Sequence, residues 1–494
     1  MHYSLYQPTY HFNFCHDLCY NHLSVLNNTR STLAVIPTPG PLETGITEKD
    51  DMAEPSLDAR TWATRAITAS AEYFPNLMPQ MPDLAELSDQ RERQLATAIH
   101  RTVLQRWLTL EYILNRHLKK PLNKLEPSMQ GVLLVGAAQL LFFERLPDFA
   151  IVSSMVNLAA EMIRPEAKGM VNAVLRNISK TIAGRSSDAN WEPCRDKLPV
   201  EGGKGGGYVQ FNLPMLPDPD RDWVNYWSIV TSHPTSLLEH IASEHGQEAA
   251  IAIAMHDMAV PPTIICASTV LDEMSLPIAK HKSEGNYYLW QGNYGELTDF
   301  LNSHPDCRVQ DPTASKPIAA TADLPLTSII DYCAGKGTKS VQLAAMHPDA
   351  TVYATDPDGP RFAALKTVSQ MHDNLQARRK SMLPKDADLI LLDVPCSNTG
   401  VLARRPEARY RFNRPNRREL VQLQKLIATE AAERIILGGY ILYSTCSICE
   451  LENQQIARFI CDKSEGKIIK EHLTLPQGYS ATYQDGGYYA LIQC

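Results

Sequence analysis

Two apolar runs of strand length, each ending at a cysteine, constrain this chain more than any other feature. They are Leu389-Ile390-Leu391-Leu392-Asp393-Val394-Pro395-Cys396 and Gly438-Gly439-Tyr440-Ile441-Leu442-Tyr443-Ser444-Thr445-Cys446-Ser447. Both are bounded by turn-forming residues, the pattern of strands rather than helices. From residue 327 onward, strand-like and helix-like segments alternate, which predicts an α/β sheet domain. Ligands meet an open parallel sheet at the carboxyl ends of its strands. Two thiols at such ends, with Asp393 beside one of them, point to covalent chemistry in a single pocket.

With 494 residues the chain exceeds one typical core, and two or three are expected. A formal net charge of -8 argues against a wholly basic nucleic-acid coat, though not against a local basic cleft. Residues 403–420 hold seven arginines, Arg404, Arg405, Arg409, Arg411, Arg414, Arg417 and Arg418, against two glutamates. A charge run is ordinarily a solvated face, but its place beside the Cys396 motif, with Tyr410 and Phe412 interleaved, predicts an RNA-facing surface. Eleven cysteines are an odd number, too sparse for a disulfide scaffold, and read as reduced thiols of a cytoplasmic protein. The longest apolar stretch, 131–143, is too short to span a bilayer, so no membrane partner is expected.

Residues 1–51 lack a signal-peptide pattern and read as a disordered extension, or as a start assigned upstream of Met52. Their Cys15, His16, Cys19 and His22 are too weak a pattern for a metal site, and no metal is expected. Residues 56–182 read as helices throughout. Leu95, Ile99, Val103 and Trp107 recur on one face, with Ser88 as candidate N-cap, and further apolar-periodic stretches lie at 128–143, 149–163 and 168–180. Residues 183–222, with the glycine run Gly202 to Gly207, read as a flexible linker. That run lacks the Lys-Ser/Thr ending of a phosphate loop. Residues 223–315 read as a small α+β region, and 316–494 as the catalytic domain.

Ser328 to Ser340 reads as a strand, a turn with Gly335 and Gly337, and a helix start. Such a turn admits close backbone approach to a cofactor. A second strand ends in Asp356, where a carboxylate suits the two hydroxyls of a ribose, with a helix cap as the plainer role. Asp356-Pro357-Asp358-Gly359 lacks the terminal glutamate of a calcium loop. Cys446 and Cys449 form a C-x-x-C, but Cys446 ends a strand rather than opening a helix, against a redox pair. A buried inert thiol is the common state of a single cysteine. Two in matched settings beside Asp393 and a cofactor turn argue otherwise.

Asp331-Tyr332-Cys333-Ala334-Gly335-Lys336-Gly337-Thr338-Lys339-Ser340, Asp393-Val394-Pro395-Cys396-Ser397-Asn398-Thr399-Gly400, and Ser444-Thr445-Cys446-Ser447 with Glu452-Asn453 closely resemble the RNA cytosine-5 methyltransferases of the NOL1/NOP2/Sun group. Val309 to Ser315 and Asp485 to Ala490 support the match. Glu144 to Ala150 and Gly169 to Arg176 resemble the NusB-like RNA-binding domain, and the fusion of the two is similar to bacterial small-subunit rRNA methyltransferases of the Sun/Fmu type.

The resemblance implies a Rossmann-like S-adenosylmethionine-dependent methyltransferase domain, preceded by an all-α NusB-like domain and a small α+β region that contacts RNA. It implies a monomer acting on 16S rRNA. Cys446 would be the nucleophile, Cys396 the group that assists release, and Asp393 the residue on the base edge. Cys333, Ala334, Gly335, Lys336, Gly337, Thr338, Lys339, Asp356 and Asp393 would hold the cofactor. The chain departs from the family pattern at Lys336, where proline is usual, at Thr338, where glycine is usual, and at Cys266-Ala267-Ser268, where Arg-x-Asn is usual. Only 37 residues separate Asp356 from Asp393, and no third strand ending in an acid stands out between them; Asp373 and Asp386 are poor candidates. Two alternatives follow: an RNA-binding assembly factor with a decayed cofactor pocket, or the same chemistry on tRNA.

Overall fold

The computed structural model describes residues 58–77, 83–87, 89–187, 191–202 and 207–494. The extension 1–51, its Cys15 to His22 cluster and Ser88 lie outside the described residues. The N-terminal helices are α1 (Ala59–Tyr73), α2 (Gln90–Asn115), α3 (Pro127–Phe142), α4 (Asp148–Met162) and α5 (Ala167–Thr181). Ile99, Val103 and Trp107 of α2 are buried in one core with Leu134 of α3, Met155 of α4 and Leu175 of α5, and Leu95 packs against it. The cap of α2 is Asp89, whose side chain accepts from the Arg91 backbone N–H. Helix α3 is buried nearly all round, so it forms the centre of the bundle rather than a membrane span. Among the described residues no helix is long and apolar enough to cross a membrane.

The described residues of 183–222 are more ordered than a linker. β1 (Ile182–Ser186), β2 (Lys197–Pro199) and β3 (Tyr208–Phe211) form an antiparallel sheet in the order β1-β3-β2. Leu198, Val209, Phe211, Met215 and Leu216 are buried in the helical core. Five apolar side chains spaced among glycines and prolines suffice to dock the segment, which composition alone does not reveal. Three helices follow, α6 (Trp223–Thr231), α7 (Thr235–His245) and α8 (Gln247–His256). Then β4 (Ile264–Ala267), β5 (Ile278–Lys280), β6 (Tyr287–Trp290) and β7 (Cys307–Val309) form a sheet in the order β5-β6-β4-β7, with α9 (Tyr294–Ser303) between β6 and β7.

Helix α10 (Pro312–Ala319) leads into the C-terminal sheet of β8 (Ser328–Asp331), β9 (Thr351–Ala354), β10 (Leu375–Ala377), β11 (Ala387–Asp393), β12 (Ile435–Thr445), β13 (Lys467–Thr474) and β14 (Gly487–Gln493). The order is β10-β9-β8-β11-β12-β14-β13. The first five strands are parallel, while β14 runs antiparallel to both β12 and β13. Helices α11 (Thr338–Met346), α12 (Gly359–Ser369), α13 (Arg414–Ala432) and α14 (Gln454–Ser464) supply the crossovers and cover. The third strand missing from the sequence reading is β10. It is three residues long and leads into Arg378 and Arg379, so it carries neither the length nor the terminal acid that would mark it.

The arginine run is not an open RNA face. Arg409 is buried, and its guanidinium donates to the carbonyls of Gln105 (3.3 Å), Thr231 (3.0 Å), Asp257 (3.1 Å) and Leu402 (3.3 Å). Tyr410 Oη donates to the Leu104 carbonyl at 2.7 Å, and Arg411 to that of Leu77 at 2.7 Å. Tyr410 and Phe412 are buried. The segment is a plug between the helical and catalytic domains, where buried carbonyls need donors. Of the seven arginines, Arg414 and Arg418 remain exposed.

Candidate active site

Strands β11 and β12 are parallel neighbours with Asp393 opposite Ser444. That register carries the residues just beyond them, Cys396 and Cys446, to the same sheet edge. The two sulfurs lie 3.2 Å apart. Cys396 is fully buried, whereas Cys446 is partly exposed and faces a cleft lined also by Asp393, Asn398, Ser444 and Tyr488. Asn398 adopts φ 61°; its Oδ1 accepts from Cys446 Sγ at 3.1 Å, and its Nδ2 donates to the Cys396 carbonyl at 3.0 Å. One amide thus links both cysteines.

The loops around them are tied from below. Buried Glu452 accepts from the Ser397 N–H (2.9 Å), the Ser447 hydroxyl (2.7 Å) and the Ser397 hydroxyl. Burial raises the pKa of its carboxyl, against those hydrogen bonds. The Gly400 N–H donates to the Cys446 carbonyl at 2.9 Å, and the Gly486 N–H to the Gly400 carbonyl at 2.6 Å. A side chain at Gly400 would meet Gly486 C at 2.6 Å and the Cys446 carbonyl oxygen at 2.8 Å, so three backbone segments converge where only glycine fits.

Asp393 accepts from Lys339 Nζ at 2.7 Å and from the Ser444 hydroxyl at 2.7 Å. Burial alone would lower the pKa of the Lys339 ammonium. Asp393, Cys446 and Asp331 more than offset it, so the pKa is raised and the lysine stays charged. Lys339 is the second residue of α11, directly after the turn that joins that helix to β8. Gly335 (φ 57°) and Gly337 (φ 99°) hold that turn in the left-handed region, which accounts for both glycines.

Asp356 does not point freely at a ligand. Its two oxygens accept the backbone N–H groups of Gly335 (2.9 Å) and Asp358 (2.9 Å), and Asp358 is the cap of α12. Cys333, Ala334, Lys336, Thr338 and Lys339 line an open cleft with Asp331, Asp393 and Arg404. Gly335, Gly337 and Asp356 shape the turn rather than the cleft wall. Carboxylates, ammonium groups and apolar walls from Ile264, Val309 and Ala334 match a ligand that is part zwitterion and part apolar.

Sequence reasoning missed a buried ionic node joining this cleft to that of Cys446. Arg404 lines both, donating to Asp485 Oδ2 at 2.6 Å and standing 3.4 Å from Asp311 Oδ2. Burial and the Asp485 charge raise the Asp311 pKa to about 7, while Arg404 opposes them. Asp311 and Asp485 both fell within quoted motifs, but nothing in their spacing, 174 residues apart, announced the contact. Cys449 is buried, and burial followed by the Glu452 charge pushes its thiol up to about 12, which keeps it protonated unless a bound cation takes the place of the proton.

A sheet wound in this order, with a glycine turn after its first strand opening on a ligand cleft, is that of the S-adenosylmethionine-dependent methyltransferases. Residues 322–489 match the family "16S rRNA methyltransferase RsmB/F" and residues 58–180 the NusB family. The chain thus carries an RsmB/F-type methyltransferase domain, with a NusB-family domain at its N-terminal side. It is similar to the "Ribosomal RNA small subunit methyltransferase B" of Sodalis glossinidius, 28% identical over 454 residues, covering 87% of this chain and 96% of that one. The Proteus mirabilis protein of the same name is 26% identical over 457 residues, covering 88% and 99%. The crystal structure of PH0851 shares the fold, with a TM-score of 0.64 at 17% identity, over 88% of this chain and 98% of that one.

Proposed function

We propose that the chain methylates C5 of a cytosine in 16S rRNA through a covalent bond between Cys446 and C6 of the base. The observation that carries this reading is the pair of thiols 3.2 Å apart, at the ends of adjacent strands and beside the Lys339–Asp393 ion pair. Cytosine C5 is a poor nucleophile. Addition of the Cys446 thiolate at C6 converts the ring to an enamine with electron density at C5, dividing a hard step into easier ones. Cys446 is the more exposed thiol, and Asn398 and the Gly400 N–H fix it in place. S-adenosylmethionine supplies the methyl group. Cys396, as thiolate, takes the C5 proton; the electrons of that C–H bond re-form the C5–C6 double bond, and the C6–S bond breaks to return Cys446. Asp393 accepts from the exocyclic amine of the base, held in place by Lys339 and Ser444.

Cys333 to Lys339 would hold the amino-acid part of the cofactor. Asp356, by accepting the Gly335 N–H, shapes that turn, and only the second lone pairs of its carboxylate oxygens would be left to accept the ribose hydroxyls. The target base must leave its stack, at a cost of a few kcal/mol. Phosphate contacts repay part of this, with Arg414 and Arg418 as the exposed members of the run. The NusB-type domain would choose where the enzyme sits on the RNA. Against a decayed pocket stand the formed turn, the Lys339–Asp393 pair and the presence of the third strand.

The test is transfer of labelled methyl from S-adenosylmethionine to 16S rRNA transcript, to assembled small subunits and to tRNA. Label recovered as 5-methylcytidine at one site of the 16S rRNA is the expected result. Label on tRNA alone, on another atom, or none together with no calorimetric cofactor binding would overturn the proposal.

A further inference from the structure

Cys449 is a buried thiol that the reaction leaves unused, and it does not stand alone. Its sulfur, a ring nitrogen of His240 and a carboxylate oxygen of Glu244 all lie within 4.8 Å of one another. His240 and Glu244 sit one turn apart on α7, with Nε2 and Oε1 3.2 Å apart. Two donors on one tetrahedral zinc ion stand about 3.3 Å apart, and a sulfur and a nitrogen about 3.6 Å. Two of the three donors are thus already at coordination distance from each other. Closing the cluster needs the Cys449 sulfur, within 4.8 Å of both, to move by no more than about 1.2 Å.

Glu244 Oε2 accepts the Glu450 N–H at 3.0 Å, leaving Oε1 to face His240. His245 Nε2 stands 3.8 Å from Glu244 Oε2 and is engaged with the Ile448 carbonyl at 2.9 Å. Cys449 Sγ lies 3.5 Å from the Thr399 hydroxyl. Arg417 Nη1 is 3.4 and 3.2 Å from the two ring nitrogens of His240. That guanidinium engages the ring nitrogens and must give way for a cation to bind. Its charge opposes a bound cation, and the thiolate and carboxylate charges offset it.

We propose that His240, Glu244 and Cys449 form a zinc-type divalent cation site that clamps α7 to the loop following Cys446. Imidazole, carboxylate and thiolate together select a borderline-soft ion of this kind, with solvent completing the four positions. On binding, the Cys449 S–H bond breaks, its electron pair forms the sulfur–metal bond, and the proton leaves to solvent. The assignment is independent of the roles of Cys396 and Cys446.

The test uses Co²⁺ titrated into the full chain with Cys15, Cys19, Cys396 and Cys446 replaced by serine, so that other close thiols do not contribute. One equivalent should bind with sulfur-to-metal charge-transfer absorption and the visible bands of a tetrahedral site, and Zn²⁺ should displace it. Adding Cys449→Ser should abolish the charge-transfer band, and His240→Ala or Glu244→Gln should each weaken binding by about 10-fold or more. Absence of the band in the parent, or its persistence in Cys449→Ser, overturns the proposal. Should Cys449→Ser lose its far-ultraviolet circular dichroism, an unchanged affinity in His240→Ala overturns it instead.

Discussion

Replacing Gly400 by alanine should uncouple cofactor binding from catalysis. The added Cβ would fall 2.6 Å from Gly486 C, 2.7 Å from Gly486 O and 2.8 Å from Cys446 O. All three are backbone atoms, so no side chain can swing aside, and ordinary contact requires each to retreat by about 0.6 Å or more. The two hydrogen bonds that join these segments, Gly400 N–H to Cys446 and Gly486 N–H to Gly400, stretch or break at about 1 kcal/mol each. Overpacking of this kind costs about 1–3 kcal/mol of stability. The larger effect is on geometry, because the Cys446 carbonyl moves with its sulfur. A misplacement approaching 1 Å can lower a rate about 100-fold, and kcat/KM for methyl transfer should fall by about 30- to 100-fold. Cofactor Kd by calorimetry should change less than about 3-fold, since Gly400 is not among the residues lining the turn cleft. Gly169→Ala is the control: it lies in α5 with open space at its Cβ and should be neutral or stabilising by up to about 1 kcal/mol. A Gly400→Ala enzyme within about 2-fold of the parent in kcat/KM would refute the reasoning that this convergence positions Cys446.

Further outcomes follow from the same geometry. Cys446→Ala should abolish methyl transfer, and Cys396→Ala should leave a slow-migrating protein–RNA adduct on a denaturing gel; no adduct, with Cys446→Ala inactive, counts against the release role. Arg409→Met strips donors from four buried carbonyls and should cost about 3–5 kcal/mol, lowering the melting temperature. It should leave the salt slope of RNA binding unchanged, and a slope reduced by about one unit would mean that Arg409 meets a phosphate after all. The Asp311 carboxyl has a folded pKa raised to about 7, against about 3.9 unfolded. The folded state therefore binds the extra proton between those values, and this group's contribution to stability declines as pH rises from about 4 to about 7 and is level above. Thermal melts across that range should show a decline that Asp311→Asn removes; an equal decline in the variant would assign it elsewhere.

The chain order of its residues settles much of this protein. Uninterrupted apolar runs such as Leu389 to Leu392 have one stable environment, a strand covered on both faces. Turn glycines at 335 and 337 allow a backbone that other residues resist, and the periodic apolar faces of α2, α4 and α5 bury themselves around α3, which is buried nearly all round. Those are local properties, legible without a third dimension, and they place Cys396, Cys446, Asp393 and the cofactor turn at strand ends.

Tertiary structure decided what each charge is for. The arginines of 403–420 look alike in sequence, yet Arg409 satisfies carbonyls in a domain seam, Arg404 balances two aspartates, and Arg414 and Arg418 meet solvent. The Asp356 carboxylate holds a turn by accepting the Gly335 and Asp358 backbone N–H groups, and β10 forms a strand because β9 offers an edge to pair with. The Arg404–Asp311–Asp485 node and the cluster of His240, Glu244 and Cys449 join residues far apart along the chain. The physical reason is that hydrophobic periodicity is fixed by covalent spacing. The state of a polar group is set by which carbonyl, carboxylate or solvent it meets once distant segments have packed.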